Sequence, residues 1–220
     1  MSSYTWVLLA ILLMSLAFYG YRRQHREFGK ALKRLADQRL TAAHKARFSS
    51  GGLTSFPRLV VYHHEGPIMV SAMASAGAAA GAGPLTFGRQ TLTRISPLQF
   101  KLVRKTRSVQ SLVDRPAGGS ASEPGSVSLR RDFFIETDSP DCFEKVFAAE
   151  LESEVAKAVS VSRVTCGEEV LTASVEGLCT DEATLLSISQ LVGAVADQLA
   201  EIHHQTIEIN GTDKLSQKQE

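Results

Sequence analysis

Residues 133–155 read FFIETDSPDCFEKVFAAELESEV, and this stretch decides the fold class. Phe133, Phe134 and Ile135 are aromatic and β-branched, so they suit the end of a strand running over residues 127–136. Thr137, Asp138 and Ser139 supply helix caps, and Pro140 fits the first helical position, where its missing N–H is not needed. Phe143, Val146, Phe147, Leu151, Val155 and Ala158 then share one face, with Glu144, Lys145, Glu152 and Lys157 outside. That spacing predicts an amphipathic helix.

The pattern continues downstream. Residues 159–165 and 170–175 bracket Cys166-Gly167-Glu168-Glu169, which predicts a β-hairpin with a four-residue connection. Thr180 is the expected cap of a last helix, with Asp181 and Glu182 complementing its dipole. Leu185, Ile188, Val192, Val195, Leu199 and Ile202 repeat at three and four, so one stripe packs on a sheet. Upstream, residues 58–62, residues 68–75 and the alternation Leu98, Phe100, Leu102 read as strands, with a turn at residues 63–67. Residues 75–84 and 114–126, rich in Ala/Gly and Pro/Gly/Ser, are expected to be mobile loops.

At the other end, residues 4–21 read YTWVLLAILLMSLAFYGY without a charged side chain, then Arg22 and Arg23 follow. A helix of that length covers most of a hydrocarbon core about 30 Å thick. Tyr4 and Trp6 mark one interface and Phe18, Tyr19 and Tyr21 the other. A cleaved signal fits less well, because no basic residue precedes the run and no small-residue cleavage pattern follows it. Residues 22–50 carry nine Lys/Arg against Glu27 and Asp37. The positive-inside rule therefore places the N-terminus outside and the C-terminal domain in the cytoplasm, as a single-pass membrane protein. Residues 24–48 contain good helix formers and a thin stripe of Phe28, Leu32, Leu35 and Leu40. Such a helix can lie on the membrane or continue the anchor and pair with a copy of itself, giving a homo-oligomer.

The expected architecture is α+β: a transmembrane helix, a basic juxtamembrane helix, then a mostly antiparallel sheet with two C-terminal amphipathic helices on one face. The expected divisions are residues 1–21 (anchor), 22–50 (basic helix and linker), 51–202 (α+β domain) and 203–220 (flexible polar tail). Charge is uneven along this plan. Residues 51–131 hold ten Lys/Arg against Glu65, Asp114 and Glu123, whereas residues 132–220 hold eighteen Asp/Glu against five Lys/Arg. Arg22, Arg23, Arg26, Lys30, Lys33 and Arg34 are the residues expected to contact anionic lipid. The acidic C-terminal half is the surface expected to meet a protein partner. Nucleic acid is not an expected partner, because no basic stretch is interleaved with stacking aromatics.

Motifs for chemistry are sparse. Cys142, Cys166 and Cys179 form neither an even disulfide set nor a close zinc pair, and suit a reducing compartment. No phosphate-binding glycine motif and no G-x-S-x-G elbow occurs, so no cofactor is expected. Cys142, in the first turn of a predicted helix, is the one candidate for a thiol-dependent enzyme, since the dipole would lower its pKa. His63-His64-Glu65 and His203-His204 are the candidates for metal ligation. Adjacent strand residues point to opposite faces, so each pair offers at most one ligand and no metal site is expected. A second span over residues 67–87 is the remaining alternative, with Gly77 and Gly81 in a small-xxx-small packing pattern; it would make the protein a structural subunit of a membrane complex.

The anchor with its basic flank, together with residues 133–155, resembles uncharacterised single-pass membrane proteins, mostly bacterial, with a soluble α+β domain of unknown function. The resemblance carries no catalytic motif. The reading that follows is a membrane-anchored protein whose cytoplasmic domain binds a protein partner or the anionic membrane surface, with no catalytic residues assigned.

Overall fold

A single helix, α1 (Ser3–Leu40), opens the chain. The computed structural model describes residues 3–40, 45–52, 55–73, 83–105 and 124–216. After α1 come β1 (Ala46–Ser49), β2 (Arg58–His63), β3 (Gly66–Met73), β4 (Leu85–Thr91) and β5 (Phe100–Arg104). Then follow α2 (Val127–Asp132), β6 (Phe133–Thr137), α3 (Pro140–Val146), α4 (Ala149–Lys157), β7 (Arg163–Cys166), β8 (Val170–Glu176) and α5 (Glu182–Ser216). The strands form one eight-stranded sheet in the order β1-β2-β3-β4-β8-β7-β5-β6. Every neighbouring pair is antiparallel.

Register explains which residues meet the helices. Phe48, Leu59, Val70, Gly88, Ala173, Val164, Leu102 and Ile135 are successive cross-strand partners and form one row across the whole sheet. A period of two puts them on a single face. The row narrows to Gly88 and Ala173 in the middle, where α5 crosses. A Cβ on Gly88 would lie 2.5 Å from Ile188 Cγ2, so the glycine is what lets the helix approach. Leu185, Ile188, Val192, Val195 and Leu199 of α5 are buried, as the stripe predicts, Leu191 joins them, and Ile202 is only partly buried. At the β6 end, Phe143 and Phe147 stack at 4.3 Å and both meet Phe100 edge-on.

Several expectations are corrected. The apolar N-terminal helix continues into the basic helix, as one of the two expected arrangements has it, but Phe28, Leu32 and Leu35 face neither a membrane nor a second copy and are buried in the core. Helix α1 ends at Leu40, and residues 46–49, read as helix and linker from propensity, pair with β2 because Phe48 gains a place beside Leu59. Residues 127–132 form α2, not strand; Ser126 caps it by accepting from the Leu129 N–H at 3.2 Å. The helix expected from Pro140 breaks at Phe147 and Ala148, and the extended backbone of Ala148 redirects the chain into α4. Asp181, not Thr180, caps α5: its carboxylate accepts from the Thr184 N–H at 2.8 Å. That bond, with the Thr184 hydroxyl, holds the Asp181 carboxyl below the ordinary range. Helix α5 continues to Ser216 through the expected flexible tail, since that part contains no proline to stop it.

The second span over residues 67–87 is also corrected. Its two ends are β3 and β4, paired from Ile68↔Gln90 to Met73↔Leu85 within the sheet. Residues 74–82 between them, and 106–123, lie outside the described residues, and so does most of each expected mobile loop. Helix α5 is long and apolar enough to cross a membrane, but half of that segment is buried against the sheet and its neighbours, as a core helix is. The sheet order also inserts β7 and β8 between β4 and β5, so the basic and acidic parts of the chain share one sheet. Arg34 of α1 and Glu182 of α5 form an ion pair at 3.4 Å across that divide.

Candidate functional site

Helix α1 has two unlike halves. From Trp6 to Tyr21 its large apolar side chains are exposed all round the helix; Leu8 is 66 % exposed, Met14 65 % and Tyr19 68 %. A helix apolar on every side and uncovered by protein has the character of a membrane span. From Phe28 onward the same helix enters the core, with Phe28, Leu32 and Leu35 at 0 to 2 % exposure. Only about 10 Å of helix separates Tyr21 from Phe28. Within that gap Tyr21, His25 and Phe56 form an aromatic group, with centroids 5.3 Å apart for His25–Phe56 and 6.1 Å for each contact of Tyr21.

The six basic residues are all on the exposed side of α1, but their surroundings differ. Arg22 lies over the Phe18 ring at 5.5 Å. Lys30 pairs with Glu27 at 2.8 Å and Arg34 with Glu182. Rise along the helix separates them further. Arg22, Arg23 and Arg26 fall within about 8 Å of Tyr21, whereas Lys30, Lys33 and Arg34 are about 13–20 Å beyond it.

The thiols are free and unactivated. Cys166 is buried, and Cys142 and Cys179 are half-buried. Burial raises all three above the ordinary thiol range. For Cys142 the loss of water outweighs the attraction of Lys145, and Asp138 pushes the same way as burial. The expected lowering by the helix dipole is therefore not what this position gives, and α3 is a short helix with Asp141 in its first turn.

A different cluster lies where β2 turns into β3. His63 is the last residue of β2, and His64 already belongs to the turn, so the strand alternation that would send them apart no longer applies. Their rings lie 4.2 Å apart, and both reach one carboxylate of α5. His64 Nε2 is 3.0 Å from Asp197 Oδ1 and His63 Nε2 is 3.6 Å from Asp197 Oδ2. Burial raises the Asp197 carboxyl, His63 and His64 draw it back down, and Glu65 pushes it up again. Gly193, one turn before Asp197, makes the approach feasible: a Cβ there would lie 3.1 Å from His63 Nε2. His203 and His204 do not join the cluster; they line a neighbouring surface pocket with Glu65, Arg94 and Ser96.

Asp197 carries no motif that sequence could read. It sits outside the apolar stripe, as any solvent-facing acid would, and only the seating of α5 brings it beside the turn. The chain matches no protein-family model and no curated protein. Its fold is similar to the crystal structure of the mycobacterial trehalose monomycolate transport factor A, TtfA, with a TM-score of 0.50 and 9 % identity, over 79 % of this chain and 95 % of that one.

Proposed function

We propose that this protein is a single-pass, membrane-anchored binding module whose α+β domain is held against the cytoplasmic surface of the bilayer. One observation carries the reading: α1 is apolar and uncovered up to Tyr21, then becomes a core element from Phe28 without a break. No flexible linker separates anchor from domain, so the domain rides close to the headgroups. The likeness to TtfA, described as a transport factor, supports the architecture alone and assigns no residue here. The acidic C-terminal elements supply the partner-facing surface, and the domain needs no catalytic group for this role.

The side of the membrane is tested by labelling. Val159 is 69 % exposed at the end of α4, so Val159→Cys adds an accessible thiol, while the native thiols are held less reactive by burial. A membrane-impermeant maleimide should leave Val159→Cys unlabelled in intact cells and label it after permeabilisation. Labelling in intact cells would put the domain outside and overturn the cytoplasmic orientation.

Arg22, Arg23 and Arg26 are the lipid-contacting residues of this proposal. They fall within the headgroup layer, where each basic residue contributes about 1 kcal/mol toward anionic lipid. Lys30, Lys33 and Arg34 lie beyond about one Debye length from it, and two of the three already face acidic partners. For the fragment 22–220 on anionic vesicles at about 0.15 M salt, where the Debye length is about 8 Å, changing Arg22, Arg23 and Arg26 to Glu should weaken binding by at least tenfold. The same change at Lys30, Lys33 and Arg34 should do much less. Equal effects of the two triple changes would remove the division between near and far basic residues.

A further inference from the structure

We propose that His63, His64 and Asp197 form a mononuclear site for a divalent transition-metal ion of the zinc type. The three residues each offer a donor atom, and these atoms all lie within 4.8 Å of one another. Around zinc, with bonds of 2.0–2.2 Å to imidazole nitrogen and carboxylate oxygen, tetrahedral ligands are separated by about 3.3 Å. His64 Nε2 to Asp197 Oδ1 is 3.0 Å and His63 Nε2 to Asp197 Oδ2 is 3.6 Å, so each imidazole meets its own oxygen of the carboxylate at a separation near that value. Two imidazoles and a carboxylate are a donor set that suits Zn²⁺, Co²⁺ and Fe²⁺ and leaves coordination positions open for water or a ligand.

Two further features support a built site. Gly193 hollows the α5 face where His63 enters, so the imidazole comes onto the carboxylate without displacing backbone. Asp197 Oδ1 is shielded from solvent and accepts no hydrogen bond among the described residues, with His64 Nε2 at 3.0 Å. A shielded carboxylate oxygen facing an imidazole nitrogen at that distance is an arrangement in which a metal ion can take the place of the shared proton. The His64 side chain is 68 % exposed, which gives an ion a path inward from solvent. Bound metal would tie the β2–β3 turn to the middle of α5.

The test uses the full chain in detergent, free of any histidine tag, titrated with Zn²⁺ and separately with Co²⁺. One equivalent of Zn²⁺ should bind per chain, and Co²⁺ should give visible bands of nitrogen and oxygen ligation without thiolate charge transfer. His64→Ala and Asp197→Asn should each weaken Zn²⁺ binding at least tenfold, while His203→Ala leaves it unchanged. His64 is exposed, so its replacement leaves the core intact and decides the matter even if Asp197→Asn unfolds. Zn²⁺ binding equal in the parent and His64→Ala would overturn the site, as would a thiolate band in the Co²⁺ spectrum. Failure to bind Zn²⁺ at all would leave the three residues as an ion pair and overturn the proposal equally.

Discussion

Phe28→Ala is expected to destabilise the domain by about 3–5 kcal/mol, the cost of removing a fully enclosed aromatic ring from a packed core. Phe28 is 0 % exposed and shares the core with Leu32, Leu59 and Leu185. The substitution separates two views of α1. If the basic half of the helix lay on the membrane or stood free, losing one ring would cost the domain little. Protection of the Cys166 thiol reports the effect in the full chain, because Cys166 is 4 % exposed and reacts when the sheet opens. In a Cys142→Ser, Cys179→Ser background, Phe28→Ala should speed its labelling by about a hundredfold or more, each 1.4 kcal/mol being a factor of ten. Phe18→Ala, on the exposed half of the same helix at 59 %, should leave the rate unchanged. An unchanged rate in Phe28→Ala would detach α1 from the core and, with it, remove the support for the proposed seating of the domain on the bilayer.

Gly88→Ala should destabilise by about 1–3 kcal/mol, the usual cost of forcing a methyl group into a filled core. The sign is the informative part. Where backbone and space allow, Gly→Ala stabilises by about 0.4–1 kcal/mol by restricting the unfolded chain. Gly88 has no positive φ to forbid alanine. What forbids it is Ile188 Cγ2, 2.5 Å from the new Cβ and on a side chain locked in the core. Ile188→Ala removes that methyl, so the double variant should be less damaged than the sum of the two single changes. Urea midpoints of the four proteins measure the coupling. A stabilising Gly88→Ala would mean that α5 crosses the sheet elsewhere, and the approach of Asp197 to His63 depends on that same crossing.

The apolar character of residues 4–21, the α+β class and the buried stripe of α5 were legible because each is periodic or continuous along the chain. Residues 133–155 carried their strand, turn and helix in local patterns of apolar spacing and capping, although the break at Phe147 was not among them. The basic half of α1 was harder. Its stripe of Phe28, Leu32 and Leu35 fits a membrane surface, a partner helix or a core equally well, and only the neighbouring β1, β2 and α5 decide among them. Residues 46–49 were misread for the same reason: a short strand is made by its partner, and Phe48↔Leu59 is a contact no window of sequence contains.

The His63–His64–Asp197 cluster is the extreme case. Two of its members stood out as a histidine pair, but strand alternation argued against their meeting, and the third was one acid among many in the C-terminal half. Their meeting depends on where β2 ends, on Gly88 admitting α5 to the sheet, and on Gly193 admitting a ring to the helix. Sequence alone therefore determined which segments are apolar, where the long periodic helices lie, and which end of the chain is basic, but not the state of short segments such as residues 46–49 and 127–132. Tertiary structure decided that the apolar N-terminal helix is continuous with the core and that two histidines share a carboxylate. The physical reason is range: periodicity and charge are written along the chain, whereas close approach between distant residues is set by the small side chains that let two surfaces touch.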